Sequence, residues 1–199
     1  MLELRKRLQA VEEEQREQTK KRNKLLYQSE HDELTGLYNK RSLNRYLEDV
    51  FEACKLNEKE LGILFLDIDY FKQLNDRYGH GKGDEGICAV ADTLKRIFPE
   101  DYVARYGGDE FLVVMTGRDL TYVMEHAESL CAGIRECKIP NEDSEVESWL
   151  TISVGGVCAI PKEPNRVWDF LSAADKTLYD QKNEQKGKVR FYVGEGQYL

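Results

Sequence analysis

The sequence predicts an α+β protein: a ferredoxin-like βαββαβ core with additional helices and a strand, preceded by a long N-terminal helix of coiled-coil type. Three observations carry this expectation. From Met1 to Tyr27 there is neither Gly nor Pro, and the residues are strong helix formers. From Leu61 to Ile160, apolar runs of strand length and amphipathic stretches of helical period follow one another in the order of a split βαβ unit. The 199 residues, 41% of them hydrophobic, suffice for one sizeable core plus an appendage.

The elements follow in order. Leu4, Leu8, Val11, Gln15, Gln18, Arg22 and Leu25 alternate in four-three spacing, a heptad seam with a polar middle. Two readings stay open: a parallel coiled coil joining two copies, or a solvated single helix. Residues 1–28 are therefore assigned to a helical stalk and 29–199 to the globular domain. Leu43, Leu47, Val50, Phe51 and Cys54 mark an amphipathic helix, and "LGILFLDI" reads as a buried strand. Ile87, Val90, Ala91, Leu94 and Ile97 mark the next helix. "YVARY" and "FLVVM" are strands joined by a hairpin at Gly107-Gly108. Val123, Ala127, Leu130 and Ile134 mark a further helix. In the strand "WLTISVGGVCAI", Gly155-Gly156 predicts a bulge or a close backbone approach. Val167, Phe170, Leu171, Ala174 and Leu178 mark the last helix, and "VRFYV" a last strand.

Several function classes are disfavoured by composition. The net charge of −8 argues against a general nucleic-acid binder and suits a protein that holds cations. No apolar run approaches the roughly 20 residues that span a bilayer. The densely charged N-terminus does not resemble a signal peptide. The five cysteines (Cys54, Cys88, Cys131, Cys137, Cys158) form no C-x-x-C pair and read as buried free thiols of a reducing cytoplasm.

Asp109 and Glu110 follow the hairpin glycines, and paired acids at the mouth of a strand repel. The strand ending at Asp67 and the one ending at Tyr106 are linked by a helical crossover, so they run parallel and end at one edge. Asp67, Asp69, Asp109 and Glu110 then gather at that edge. A lone Asp there reads as a helix or turn cap, but four acids call for a cation, and all-oxygen ligation suits Mg²⁺ or Mn²⁺. The segment "DIDYFKQLNDRYGHGKGDEG" reads as a loop offering Lys72 for phosphate, with Gly79, Gly81 and Gly83 allowing close approach. Asn75 and Asp84 can read a guanine edge: the carboxylate accepts from the ring N–H and exocyclic amine, and the amide pairs with the remaining groups. Taken singly, Lys72 is equally a solvated charge, Asn75 and Asp84 are equally caps, and His80 is a structural loop histidine.

"DELTGLYNKR", "LDIDYFKQLNDRYGHGKGD", "RYGGDEF", "TISVGG" and "ADKTLYDQK", in this order from about His31 to Val193, resemble the GGDEF family of diguanylate cyclases. The resemblance implies a palm-like core. It also implies that two domains, each with one GTP, face each other in antiparallel fashion, so that each 3′-hydroxyl attacks the other α-phosphate. The products are cyclic di-GMP and two pyrophosphates, with two divalent ions at the phosphates. Carried onto this sequence, Asp67, the Ile68 carbonyl, Asp109 and Glu110 become metal ligands or their support, with Asp109 also the candidate base. Asn75 and Asp84 recognise guanine; Phe71, Lys72 and Lys182 meet the phosphates; Gly108 leaves room for ribose and α-phosphate. Homodimers, through the stalk and through transient catalytic faces, are implied as well, and the helix beginning near Met1 looks like the stalk of a sensor domain outside this sequence.

Two departures from the family pattern bear on function. Where the family reads A-K-x-x-G-R-N, this chain reads "QKNEQKGK": without a gap, Gln185 replaces the glycine and Lys186 the phosphate-gripping arginine. Lysine keeps the charge but not the fork, which predicts weaker GTP binding rather than loss of activity. In the product-inhibition motif Arg-x-x-Asp, Asp101 is in place but Phe98 stands at the arginine position, and Arg96 is rotated away by roughly 200° along the helix. The inhibitory site is therefore expected to be absent, with Phe98 a core residue. Competing readings are a catalytically weak GTP sensor or docking module, a synthase of mixed guanine–adenine dinucleotides, which Asp84 disfavours, and a coiled-coil scaffold, which leaves the acids unexplained.

Overall fold

The fold is described by a computed structural model for residues 2–194 and 197–198, with side chains described at position 9 and over 12–192. Along the chain come α1 (Leu2–Glu30), β1 (Tyr38–Asn39), α2 (Lys40–Leu56), β2 (Leu61–Ile68), α3 (Phe71–Tyr78) and α4 (His80–Ile97). Then follow β3 (Tyr102–Gly107), β4 (Glu110–Thr116), α5 (Leu120–Glu136), β5 (Ile152–Ala159), α6 (Val167–Glu184), β6 (Val189–Gly194) and β7 (Gln197–Tyr198). Among the described residues the strands form one sheet in the order β1-β3-β4-β2-β5-β6-β7. β2 pairs antiparallel with both β4 and β5, and β3 pairs antiparallel with β4. β2 and β3 are thus parallel with β4 between them, and their C-terminal ends share an edge, as the crossover argument requires. The ferredoxin-like core is extended by β1 on one side and by β6 and β7 on the other.

Strand periodicity divides the core into two layers. Leu64, Leu66 and Ile68 of β2 pack with Phe111, Val113 and Met115 of β4 under α4 and α5. Leu61, Ile63 and Phe65 pack with Leu112 and Val114 against α2 and α6 on the opposite face. Side chains set the helix starts: Asn39 accepts from Ser42 N at α2 (3.0 Å), and Asp119 accepts from Tyr122 N at α5 (2.8 Å).

Some expectations change. The segment after β2 is the helix α3, too short for its period to stand out, and not a loop; His80 accordingly opens α4. The hairpin turn is Gly108-Asp109, because Gly107 still pairs with Glu110. Gly155-Gly156 makes no bulge, since the β2–β5 register is unbroken from Leu61↔Ala159 to Ile68↔Ile152. The two glycines instead admit neighbours: a Cβ at Gly155 would lie 2.2 Å from Leu178 N and 2.4 Å from Ala174 O of α6, and one at Gly156 2.3 Å from the Phe191 ring. All five cysteines are free, but of the five expected to be buried only Cys54 and Cys131 are: Cys88 and Cys158 are partly buried, and Cys137, which follows the end of α5, is exposed. Burial pushes the Cys131 thiol up to about 12. In α1, Gln15, Gln18, Arg22 and Leu25 are solvent-exposed, while the Leu4, Leu8 and Val11 side chains lie outside the described residues.

The contact at Gly155 is backbone on backbone, so no side chain can give way. Gly155→Ala is expected to destabilise the chain by about 1–3 kcal/mol, read as a lower urea midpoint at unchanged slope. A wild-type midpoint would show that α6 has room to move off β5.

Candidate active site

The site lies at the edge where β2 ends. Six buried apolar residues, Leu61–Leu66 with Gly62 among them, precede Asp67. Alternation points Asp67 to the face covered by α6. There Lys182, in the last turn of α6, places Nζ 2.6 Å from Asp67 Oδ1, with side chains 28% and 15% exposed. Glu110 is the cross-strand partner of Asp67 and lies on the same face. Like charges directly opposite across a sheet destabilise it. Asp109 belongs to the adjoining turn, and its carbonyl accepts from Ile68 N at 3.3 Å, which binds the turn to the end of β2.

The electrostatics agree with this geometry. Burial raises the Asp67 carboxyl above its ordinary range and Asp109 adds repulsion, while the Lys182 ammonium pulls it back. Burial raises Glu110 too, reinforced by Asp67, Asp109 and Asp175, the last on α6. Asp175 is not singled out from the sequence; its place about two turns before Lys182 on the same helix carries no separate signal.

Asp69 does not join the cluster in the role expected of it. It is fully buried, accepting from Thr151 Oγ1 at 2.8 Å and Ser153 Oγ at 2.6 Å, while Asn141 Nδ2 donates to its carbonyl at 3.3 Å. Ser153 Oγ also accepts from Gly187 N. Asp69 thereby ties the β2 end to β5 and to the chain leaving α6. Among the described residues, no three acidic, His or Cys side chains converge as a ready-made metal cage. The oxygen-only set of Asp67, Asp109 and the Ile68 carbonyl, with its unbalanced negative charge, still fits Mg²⁺ or Mn²⁺, which bind through one or two carboxylates and substrate phosphates rather than through all-protein cages.

α3 starts beside this edge. Its N-cap, Tyr70, is left-handed (φ 54°) and supplies no side-chain cap, leaving the first amides, those of Phe71 and Lys72 among them, without one. Such a terminus suits an anion. Phe71 is half-buried and Lys72 exposed. Lys186 sits 4.0 Å from the Tyr70 ring centroid, and the Tyr70 hydroxyl donates to Glu145 (2.9 Å). Gln185 is the extended C-cap of α6. Gly108 has φ 45° and open space where a Cβ would be.

Asn75 and Asp84 come from consecutive helices that share Gly79 as a cap. Asn75 Oδ1 is buried and has no hydrogen-bond partner. A Cβ at Gly83 would lie 2.0 Å from that atom, so the glycine makes the space in which the amide sits. Asp84 is exposed on the next residue. A buried acceptor without a partner next to an exposed carboxylate is a pair of groups able to accept hydrogen bonds from one ligand.

Arg105 is a further site residue that sequence reasoning missed. Its Nη2 and Nε donate to Gly108 O (2.7 and 3.0 Å), and its Nη1 bridges to Asp32 (3.1 Å). Burial works against the Asp32 charge, but bonds from Thr35 and Arg105 outweigh it and hold the carboxyl below its ordinary range. The position directly before "YGGDEF" was the available signal. Away from this edge, Phe98 is 1% exposed in the core. The Arg96 guanidinium packs at Gly133 of α5, and the charges felt by Asp101 are those of Arg118, His126 and Glu100.

The family model described as diguanylate cyclase, GGDEF domain, matches residues 29–188. The protein named Probable diguanylate cyclase DgcC of Escherichia coli is 31% identical over 169 residues, 84% of this chain and 44% of its own length. An uncharacterised membrane protein of Staphylococcus saprophyticus is 32% identical over 161 residues, 80% of this chain and 45% of its own. The chain thus spans less than half of these relatives. The coiled coil and GGDEF domain of DgcB from Caulobacter crescentus, solved with c-di-GMP, superposes with a TM-score of 0.84 over 95% of this chain and 99% of that one, at 24% identity, which speaks for the fold. The diguanylate cyclase SiaD of Pseudomonas aeruginosa, solved with its activator SiaC, gives 0.72 at 27% identity over 96% of this chain and 73% of that one. Among the described residues, no helix is long and apolar enough to cross a membrane. With the motif order, the sheet topology and the family match in agreement, the chain belongs to the GGDEF diguanylate cyclase family.

Proposed function

We propose that this chain is an active diguanylate cyclase that condenses two GTP into cyclic di-GMP and two pyrophosphates. The observation that carries the reading is the acidic edge: Asp67 and Glu110 face each other across the sheet with Asp109 on the adjoining turn, Lys182 is ion-paired to Asp67, and Lys186 adds a weaker pull. In this reading Asn75 and Asp84 hold guanine, the carboxylate accepting from N1–H and the exocyclic amine. The α3 amides of Phe71 and Lys72 take the terminal phosphates, joined by Lys182 and, after leaving the Tyr70 ring, by Lys186. Gly108 lets the α-phosphate and ribose approach the turn, which Arg105 keeps in place. Mg²⁺ or Mn²⁺, held by Asp67, Asp109 and the Ile68 carbonyl with Glu110 in support, supplies charge stabilisation to the α-phosphate. Asp109 accepts the 3′-hydroxyl proton; the 3′-oxygen forms its bond to the partner's α-phosphorus, and the α–β bridging bond breaks to release pyrophosphate.

One domain holds one nucleotide, so two copies must face each other. Residues 1–28 act as the stalk that keeps two copies close and 29–199 as the cyclase domain; exposed Leu25, Leu26 and Tyr27 favour pairing of the stalk. An upstream sensor would act through this stalk, and a GTP substrate fits a cytoplasmic domain. The resting place of Lys186 favours one alternative, a GTP-binding domain of weak activity.

Incubation with GTP and Mg²⁺ or Mn²⁺, followed by chromatography, should yield cyclic di-GMP and pyrophosphate, with Asp109→Ala at least about 10²-fold slower. GTP binding without turnover at any protein concentration would favour the sensor instead. Asn75→Ala should raise KM for GTP at least about tenfold, the loss of a polar pairing. An unchanged KM would remove Asn75 from recognition.

Holding acids together has a stability signature. The Glu110 carboxyl is raised by burial and by its acidic neighbours, so its stability contribution is present below the unfolded carboxylate range and lost as pH rises through the folded pKa. In EDTA, Glu110→Gln should therefore melt above wild type at pH 7, the gap closing as pH falls through the carboxylate range. A gap of the same size at every pH would mean that repulsion is not its cause.

A further inference from the structure

The ion pair between Lys182 and Asp67 does more than neutralise a charge. Asp67 is the acid that the proposed function gives to the cation, and its Oδ1 already has a 2.6 Å ammonium partner. The partner is delivered by a helix packed backbone on backbone against β5. Ala174 and Leu178 of α6 press their backbone onto Gly155 of β5, leaving no room for a Cβ. Only the four-carbon lysine stem is free to swing, and lysine is suited to that, as a compact charge on a flexible stem.

We propose that Lys182 is an internal competitor of the divalent cation, holding Asp67 until nucleotide arrives and so making metal binding depend on nucleotide. This rests on the reading of the site as a GTP cyclase and adds to it an order of binding. A free cation approaching Asp67 meets the ammonium on Oδ1, and displacing it takes Lys182 from its 2.6 Å partner and leaves it to the more distant charges of Glu110 and Asp69. Breaking such a pair from one side is costly, because the other charge is left uncompensated. Triphosphate removes that cost. Its oxygens offer Lys182 a charge-assisted partner within reach, and the same movement uncovers Asp67. Three acids, Asp67, Asp109 and Glu110, share one edge, so the edge attracts divalent ions in any case. Without a competitor, ions would collect there in the absence of substrate.

The test is Mn²⁺ binding to the full chain, read from the electron paramagnetic resonance signal of the free ion, with and without a non-hydrolysable GTP analogue. Nucleotide brings its own phosphate ligands, so the decisive comparison is made without it. Lys182→Met, nearly isosteric and uncharged, should bind Mn²⁺ at least about tenfold more tightly than wild type, and Lys182→Gln should move the same way. Adding Asp67→Asn to Lys182→Met should abolish the gain. Wild-type affinity in both single variants, or a gain that survives Asp67→Asn, overturns the competition and leaves the cyclase reading standing. A wild-type chain that binds Mn²⁺ neither alone nor with the analogue overturns both.

Discussion

A single carboxylate at the end of an apolar strand organises this molecule. β2 can lie in the middle of the sheet because its residues before Asp67 are buried and apolar. Its central place gives it two antiparallel neighbours, and these bring Glu110 and Ser153 opposite Asp67 in register. Shifting either register by one residue would turn the carboxylates to the other face and into the core beneath α4 and α5. The apolar strand therefore fixes the site as well as the fold.

The sheet edge accommodates two acids in opposite ways. Asp69 is buried completely and satisfied by two hydroxyls, so it ends as structure. Asp67 is left with two acidic neighbours in Glu110 and Asp109, an ion pair to Lys182 and a weaker pull from Lys186, the arrangement that the proposed function assigns to a divalent cation and phosphates. Arg105 serves the same edge from outside. It grips the hairpin carbonyl of Gly108 and Asp32, in the first loop after α1. Tyr27 of α1 stacks on His31, His31 on Tyr38, and Tyr38 on Tyr102, with centroid distances of 3.9, 4.5 and 4.1 Å. The end of the long helix and the strand carrying the hairpin are in this way in continuous contact.

Much of this was legible in the sequence, for identifiable reasons. Long periodic segments such as Leu43–Cys54 and Ile87–Ile97 announce their helices, and the crossover rule brings Asp67 and Asp109 to one edge. α3 was not legible: eight residues hold barely two turns, and the glycines after it suggested a loop. The role of Asp69 was hidden because its partners, Thr151 and Ser153, lie more than eighty residues away. Gly155 and Gly156 signalled close approach correctly, but which neighbour approaches depends on α6 and Phe191, which pair pattern alone does not assign. For Lys182 and Lys186 the sequence pointed to phosphate; Asp67 and Tyr70, their partners here, follow only from three-dimensional packing.

The central claim is that the edge formed by Asp67, Asp109 and Glu110 is where cation and triphosphate meet. It is tested most directly by a crystal structure of the chain with Mn²⁺ and a non-hydrolysable GTP analogue, using anomalous scattering to locate the metal. The account predicts an anomalous peak within coordination distance of Asp67, with guanine against Asn75 and Asp84 and Lys182 turned to the phosphates. A peak remote from Asp67, or nucleotide bound while Lys182 remains on Asp67, would contradict it.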